Sequence, residues 1–364
     1  MLSENAIPQS FPTTFQPLQG GRLAIFHQGA LGDFLLTCPV FEGIHLAFPQ
    51  VVMDFWTREP HGKLIASRPY LGGLHIPDST ELSPFYHEEE WSRAPVPAAL
   101  RRADGVLLFG QAGARRLAER LAVRLDRPVH WIQSFPDCGT PVPVTEFLVQ
   151  QVRDRLGPIH AAPVELSLDP EECRRARSWL AKRLDSIEPG PLFIHPGSGG
   201  AAKIWPLARW WELLIWIREE LRLPVVLTLG PADEKLERFA CQAESLGVYV
   251  AQGLSLGGLS ALLSQARFFV GGDSGVSHLA GALAVPSVVI FGPSDPRVWA
   301  PRGPSVRVVV ERWTEGEIFQ WSPLEREVTR GTEHVRSLVM QHVDVDRPCG
   351  EPRSEKGRRE MEDG

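Results

Sequence analysis

The sequence predicts an α/β protein built from two Rossmann-like, doubly wound domains facing a central cleft. Three observations carry this reading. Short apolar runs alternate with helical stretches, as in parallel sheets covered by crossover helices. The alternation occurs twice, starting near Arg22 and again near Pro191. Several apolar runs end in glycine loops that pass straight into helices, and in doubly wound sheets such strand-end loops are where ligands bind.

Arg22–His27 reads as a buried strand and 28–32 as a glycine loop. Asp33 opens a helix to about Phe48, with a kink or break expected at Pro39. Strands follow at Val51–Thr57 and Gly105–Phe109, and a helix at Ala112–Leu125. The boundary is placed near the end of the stretch 142–168, which holds Pro and Gly. Pro170-Glu-Glu then starts a helix, with Pro in the first turn and acids at its positive end. Strands are expected at Pro191–His195, Val225–Leu229, Val248–Ala251, Phe268–Val270 and Ser287–Phe291. Helices are expected at 206–222, 232–246, 255–265, 276–284 and 332–342. The expected division is 1–168 and 169–345, the last helix being free to pack back on the first domain, with 346–364 a disordered tail poor in apolar residues.

Composition excludes several classes. Hydrophobic residues make up 43% and charged residues 23%, so the chain is neither disordered nor collagen-like. A net charge of −6 argues against general nucleic-acid binding. The 5 cysteines form no CxxC pair, which leaves zinc ribbons and thioredoxin-like chemistry without support. Residues 1–20 show no signal-peptide pattern, and no uncharged apolar run reaches the roughly 18–20 residues needed to cross a bilayer. The 11 Trp against 3 Tyr are unusual and only Trp205 falls in a motif.

Three strand-end segments carry chemistry. In Gly271-Gly-Asp-Ser-Gly275 an apolar strand enters a helix whose first turn holds His278, so free N–H groups and an imidazole can meet an anion. The bland alternative makes Ser274 a simple cap and His278 a surface residue. Gly272-Asp-Ser-Gly275 also occurs around serine-protease nucleophiles, but that reading needs an all-β fold and a His–Asp pair. In His195-Pro-Gly-Ser-Gly-Gly-Ala-Ala-Lys203 the lysine closes a glycine loop where it could reach an anion, although the loop is not a Walker motif. Gly197 and Gly199 open that loop to an anion. In Gln28-Gly-Ala-Leu-Gly-Asp33, with Gly29 and Gly32, the spacing misses the dinucleotide fingerprint. Asp33 there reads either as a helix-capping residue or as a general base. Glu234, after Gly230, stands at a strand end where ribose hydroxyls could be bound.

In order, Gly32-Asp33 with Thr37 and Pro39, His195-Pro-Gly-Ser198 with Lys203-x-Trp-Pro206, Gly230 with Glu234, Asp273-Ser-Gly-x-x-His278 and Phe291-Gly-Pro-Ser-Asp-Pro296 resemble glycosyltransferase family 9. These are the lipopolysaccharide heptosyltransferases. The resemblance implies a GT-B architecture, with the donor held by the C-terminal domain and the acceptor by the N-terminal one. It implies Asp33 as catalytic base for inverting, metal-independent heptose transfer. Ser198, Lys203, Asp273, Ser274, Gly275 and His278 would hold the donor diphosphate and heptose, and Glu234 the ribose.

The resemblance further implies a nucleotide-sugar donor, ADP-heptose, and a lipid-linked core oligosaccharide acceptor. It implies no cofactor and a cytoplasmic protein in peripheral contact with the inner membrane. The alternatives are another nucleotide-sugar donor and a catalytically silent sugar-nucleotide binder. The stretch between Arg58 and Pro143 contributes no motif. On the helix expected there, Arg116, Arg120 and Arg124 form an i, i+4 stripe, read as a solvated face before an anionic-ligand or membrane face.

Overall fold

The computed structural model describes residues 20–77, 81–137, 139, 141–186, 190–321 and 330–342. The tail from 346, Cys138, Cys349 and the first 19 residues lie outside these. The described residues form two compact units: those up to Asp169 with 255–257 and 294–302, and the remainder.

The first unit carries β1 (Arg22–His27), α1 (Leu31–Ala47), β2 (Val52–Thr57), α2 (Glu59–Lys63), β3 (Leu71–His75), α3 (Ala98–Arg102), β4 (Gly105–Gly110), α4 (Ala112–Arg124), β5 (Val129–Gln133) and α5 (Val144–Leu156). Its five strands are all parallel in the order β3-β2-β1-β4-β5. Alternation along β1 sends Leu23 and Ile25 to one face and Ala24 and Phe26 to the other. The first face is covered by α1 and α5, the second by α4 and the loop around Phe85. Both faces are buried, which is why the strands read as continuous apolar runs.

Helix α1 runs unbroken through Pro39. Its carbonyls are engaged from outside the helix: Leu36 accepts from the Thr145 hydroxyl at 2.8 Å and Pro39 from the Ala162 N–H at 3.0 Å. Gly43 lets the segment after α5 lie against the helix, because a Cβ there would come within 2.0 Å of the His160 carbonyl.

The arginine stripe of α4 is not a solvated face. Arg120 is buried, donates to the Phe85 carbonyl at 2.7 Å and pairs with Glu88. Arg124 donates to the carbonyls of Trp91, Ser92 and Ala94. Both guanidiniums therefore pin the segment 85–94, because its carbonyls are the acceptors within reach. Arg116 is exposed and lies 3.7 Å from Glu88.

The second unit holds α6 (Pro170–Ala181), β6 (Leu192–His195), α7 (Leu207–Trp216), β7 (Val225–Thr228), α8 (Glu237–Glu244), β8 (Tyr249–Ala251), α9 (Leu256–Leu263), β9 (Phe268–Gly272), α10 (Gly275–Ala282), β10 (Ser287–Phe291), α11 (Pro296–Trp299), β11 (Val306–Val310) and α12 (Arg330–His342), although α11 and the first turn of α9 cluster with the first unit. Its six strands are parallel in the order β11-β10-β9-β6-β7-β8. Helix α12 packs on this unit's α7, β10 and β11. Val335 and Val339 are fully buried there, and Thr332 and Arg336 both bond the buried Glu212 carboxylate.

Six tryptophans pack in this core: Trp205, Trp210, Trp211, Trp216, Trp313 and Trp321. Trp205 and Trp210 meet edge-to-face at 5.0 Å, and Trp211, Trp321 and Phe239 form a second aromatic cluster. None of the described helices is long and apolar enough to cross a membrane.

Candidate active site

In each unit the chain reverses its direction of travel across the sheet once. In the first, β1 is followed outward by β2 and β3, and β4 returns to the other side of β1. In the second, β6, β7 and β8 go one way, and β9 returns to the other side of β6. Two adjacent strands whose crossovers leave in opposite directions open a crevice at their C-terminal ends. The predicted site residues fall at these two points, except Glu234, which follows β7.

At the first switch point, the loop after β1 brings Asp33 to the third position of α1. Its carboxylate reaches back to the Ala30 N–H at 3.3 Å, satisfying one of the helix's free donors. The N-cap is Ala30, so Asp33 is not the N-cap residue but caps the helix from its third position, and it lines a cavity of about 300 Å³. Gln28, Gly29, Tyr86, Gly110, Gln111 and Ser134 also line it, from the ends of β1, β4 and β5 and the segment pinned by α4. Gln28 donates to the Tyr86 hydroxyl at 2.9 Å. Gly29 is required by closeness: a Cβ there would lie 2.9 Å from the His27 ring and 3.1 Å from the Asp33 carboxylate.

Behind Asp33 stands a pair with no role assigned from the sequence. Thr37 donates its hydroxyl to the Asp33 carbonyl at 2.8 Å, and His27 Nε2 lies 3.3 Å from the same hydroxyl. With the Thr37 proton committed to the carbonyl, Nε2–H is the donor. His27 is fully buried, and desolvation, with His61 nearby, lowers its pKa to about 3, so it is neutral.

At the second switch point, Lys203 ends the loop after β6 and Asp273 begins the loop after β9. Lys203 Nζ sits 2.8 Å from Asp273 Oδ2, with the lysine side chain 40% exposed and the aspartate 7%. Ser198 ties the two loops together by donating to the Asp273 carbonyl at 2.8 Å. Ser274 caps α10, accepting from the Ser277 N–H at 3.4 Å. His278 is buried, not a surface residue. Desolvation outweighs the opposing pull of Asp273 and lowers its pKa to about 4, so the ring is neutral, and Nδ1 has no hydrogen-bond partner among the described residues. The parallel sheets remove the serine-protease reading of Gly272-Asp-Ser-Gly275.

Beside this loop pair, a second cavity of about 510 Å³ opens at the end of β7, lined by Gly230, Pro231, Asp233, Glu234, Glu237 and the segment 252–254. Glu234 is exposed at the start of a 3₁₀ turn. Gly197 packs against Asp233, while Gly199 faces open space. Among the described residues, no group of three or more His, Cys, Asp or Glu is placed to hold a metal ion.

Two doubly wound units, each with its polar residues gathered at the switch point, are the GT-B design of glycosyltransferases. Residues 149–322 match the model of glycosyltransferase family 9 (heptosyltransferase). The chain is 32% identical over 301 residues to a putative glycosyltransferase of Haemophilus influenzae, covering 77% of this chain and 86% of that protein. It is 28% identical over 306 residues to lipopolysaccharide heptosyltransferase 1 of Pseudomonas aeruginosa, covering 76% and 79%. The fold is similar to Escherichia coli ADP-heptose lps heptosyltransferase II (TM-score 0.64, 17% identity, 88% of this chain and 99% of that one). It is also similar to an E. coli heptosyltransferase solved with ADP (TM-score 0.57, 19% identity, 88% and 99%). The protein belongs to glycosyltransferase family 9 and is a glycosyltransferase.

Proposed function

We propose that the protein transfers heptose from ADP-heptose to a hydroxyl of a lipopolysaccharide inner-core acceptor, with inversion and without a bound metal, at the inner face of the inner membrane. The observation that carries this reading is the placement of Asp33 and of the Lys203–Asp273 pair at the switch points of the two sheets.

The acceptor occupies the Asp33 cavity. Asp33 takes the hydroxyl proton as the oxygen attacks the anomeric carbon from the face opposite the diphosphate. The bond from that carbon to the diphosphate oxygen breaks, and the electron pair leaves with ADP. Lys203 and the N–H groups at the start of α10, capped by Ser274, meet the leaving group's charge. The diphosphate competes with Asp273 for Lys203. His278, neutral and with Nδ1 uncommitted, hydrogen-bonds the donor, and Glu234 binds the ribose hydroxyls. The names of the relatives, and the ADP in one of the similar structures, support the choice of donor.

The reading is tested by supplying core acceptor with ADP-heptose, GDP-sugars and UDP-sugars side by side in the presence of a chelator. Transfer from ADP-heptose that persists under chelation is expected. Turnover confined to another donor, or abolished by the chelator, would contradict it.

A further inference from the structure

We propose that Asp233 is a positioning residue that holds the nucleotide cavity and the anion loop in one geometry. The proposal rests on the reading of this unit as the donor-binding one. Asp233 itself matches no motif, and it stands one residue before the exposed Glu234.

Asp233 is 5% exposed and bonded on several sides. Its Oδ2 accepts the Gly230 N–H at 2.7 Å, and its own N–H donates to the Gly230 carbonyl at 3.1 Å, closing the turn 230–233 on itself. Its carbonyl accepts the Leu236 N–H at 2.8 Å, fixing the 3₁₀ turn that carries Glu234. On the other side it presses on the anion loop, since a Cβ on Gly197 would lie 2.0 Å from Oδ1. Gly197 is the residue before Ser198, which bonds Asp273.

His195 stands beside this contact without bonding to Asp233. Its Nδ1 lies 3.0 Å from the Thr228 carbonyl, which can only accept, so Nδ1 carries the proton. Nε2 then faces Asp233 Oδ2 at 3.8 Å. One carboxylate thus touches the loops after β6 and β7, the first proposed to hold the diphosphate and the second the ribose. A displacement of Asp233 moves Glu234 and Ser198 relative to each other.

The working contact in this account is the accepted hydrogen bond and the volume of the side chain. Asparagine supplies both: with its amide oxygen in the place of Oδ2 it takes the Gly230 N–H, and its NH₂ fills the place of Oδ1 beside Gly197. Alanine supplies neither.

ADP is titrated calorimetrically into the wild-type protein and into D233N, D233A, E234A, G197A and the D233A/E234A double variant, and donor KM and kcat are measured for each. Asp233→Ala should weaken ADP by about tenfold and raise donor KM similarly while kcat at saturating donor stays within about threefold. Asp233→Asn should stay within about threefold of wild type in ADP affinity. Gly197→Ala, which displaces the same carboxylate without removing it, should match Asp233→Ala. The double variant should lose less than the product of the two single losses.

ADP affinity unchanged in Asp233→Ala while Glu234→Ala loses it would overturn the positioning role alone. So would Asparagine behaving as badly as alanine, or full additivity in the double variant. Failure of the wild-type protein to bind ADP would overturn the donor reading, and this proposal with it.

Discussion

Asp33 stands at the third position of α1 with a carboxylate oxygen 3.3 Å from the Ala30 N–H, so the group that caps the helix is also the one proposed to take the acceptor proton. A helix start suits that second task, because the free N–H groups hold the carboxylate at one orientation on the cavity wall. The Thr37 hydroxyl secures the carbonyl of the same residue and is itself held by neutral His27. Thr37→Val keeps the shape and removes both contacts, leaving His27 Nε2–H without an acceptor. The variant is expected to lose about 1–3 kcal/mol of stability by denaturant unfolding and to lower kcat more than donor KM. An unaltered kcat would show that Asp33 is oriented without this pair.

At the scale of elements, legibility followed burial. The central strands β1, β4, β6, β9 and β10 are visible as apolar runs because both of their faces are covered, and their ends fix where the loops begin. Of the four edge strands, β8 is legible at Val248–Ala251, while β3, β5 and β11 are not. β3 carries Gly72 and Gly73 in a five-residue run, and β5 mixes His130 and Gln133 with its apolar residues. Helix α5 was hidden in the stretch taken for the boundary, although Val144, Leu148, Val152 and Leu156 repeat at helical spacing and are all buried.

The arginines of α4 show a different limit. Their i, i+4 spacing is that of a solvated face, and only the carbonyls of a segment about thirty residues earlier explain why Arg120 and Arg124 turn inward. That segment contributes Tyr86 to the Asp33 cavity. Arg124→Ala removes three donated bonds, and amide exchange across 85–94 is expected to accelerate by at least about tenfold with little change elsewhere. Unchanged exchange there would mean that the loop is held by its apolar contacts alone.

At the scale of the molecule, two sheets of the same winding each place a glycine loop and a helix start at the switch point, and this repetition makes the candidate site legible in the sequence. Lys203 and Asp273 lie 70 residues apart, yet both are legible because each sits in a glycine-rich loop that follows a buried strand. Asp233 was missed for the opposite reason: its significance lies in a contact with Gly197 across two loops, and no local pattern marks it. The tryptophan excess likewise has no local meaning, and six of the tryptophans, Trp205, Trp210, Trp211, Trp216, Trp313 and Trp321, resolve into the core of the second unit. The most direct test of the account is single-turnover transfer from ADP-heptose by Asp33→Asn, with ADP binding measured on the same preparation. A fall in the rate of about 10²–10⁴-fold with ADP affinity preserved is predicted, since the substitution keeps the size of the group and removes its basicity. Transfer at the wild-type rate would contradict it.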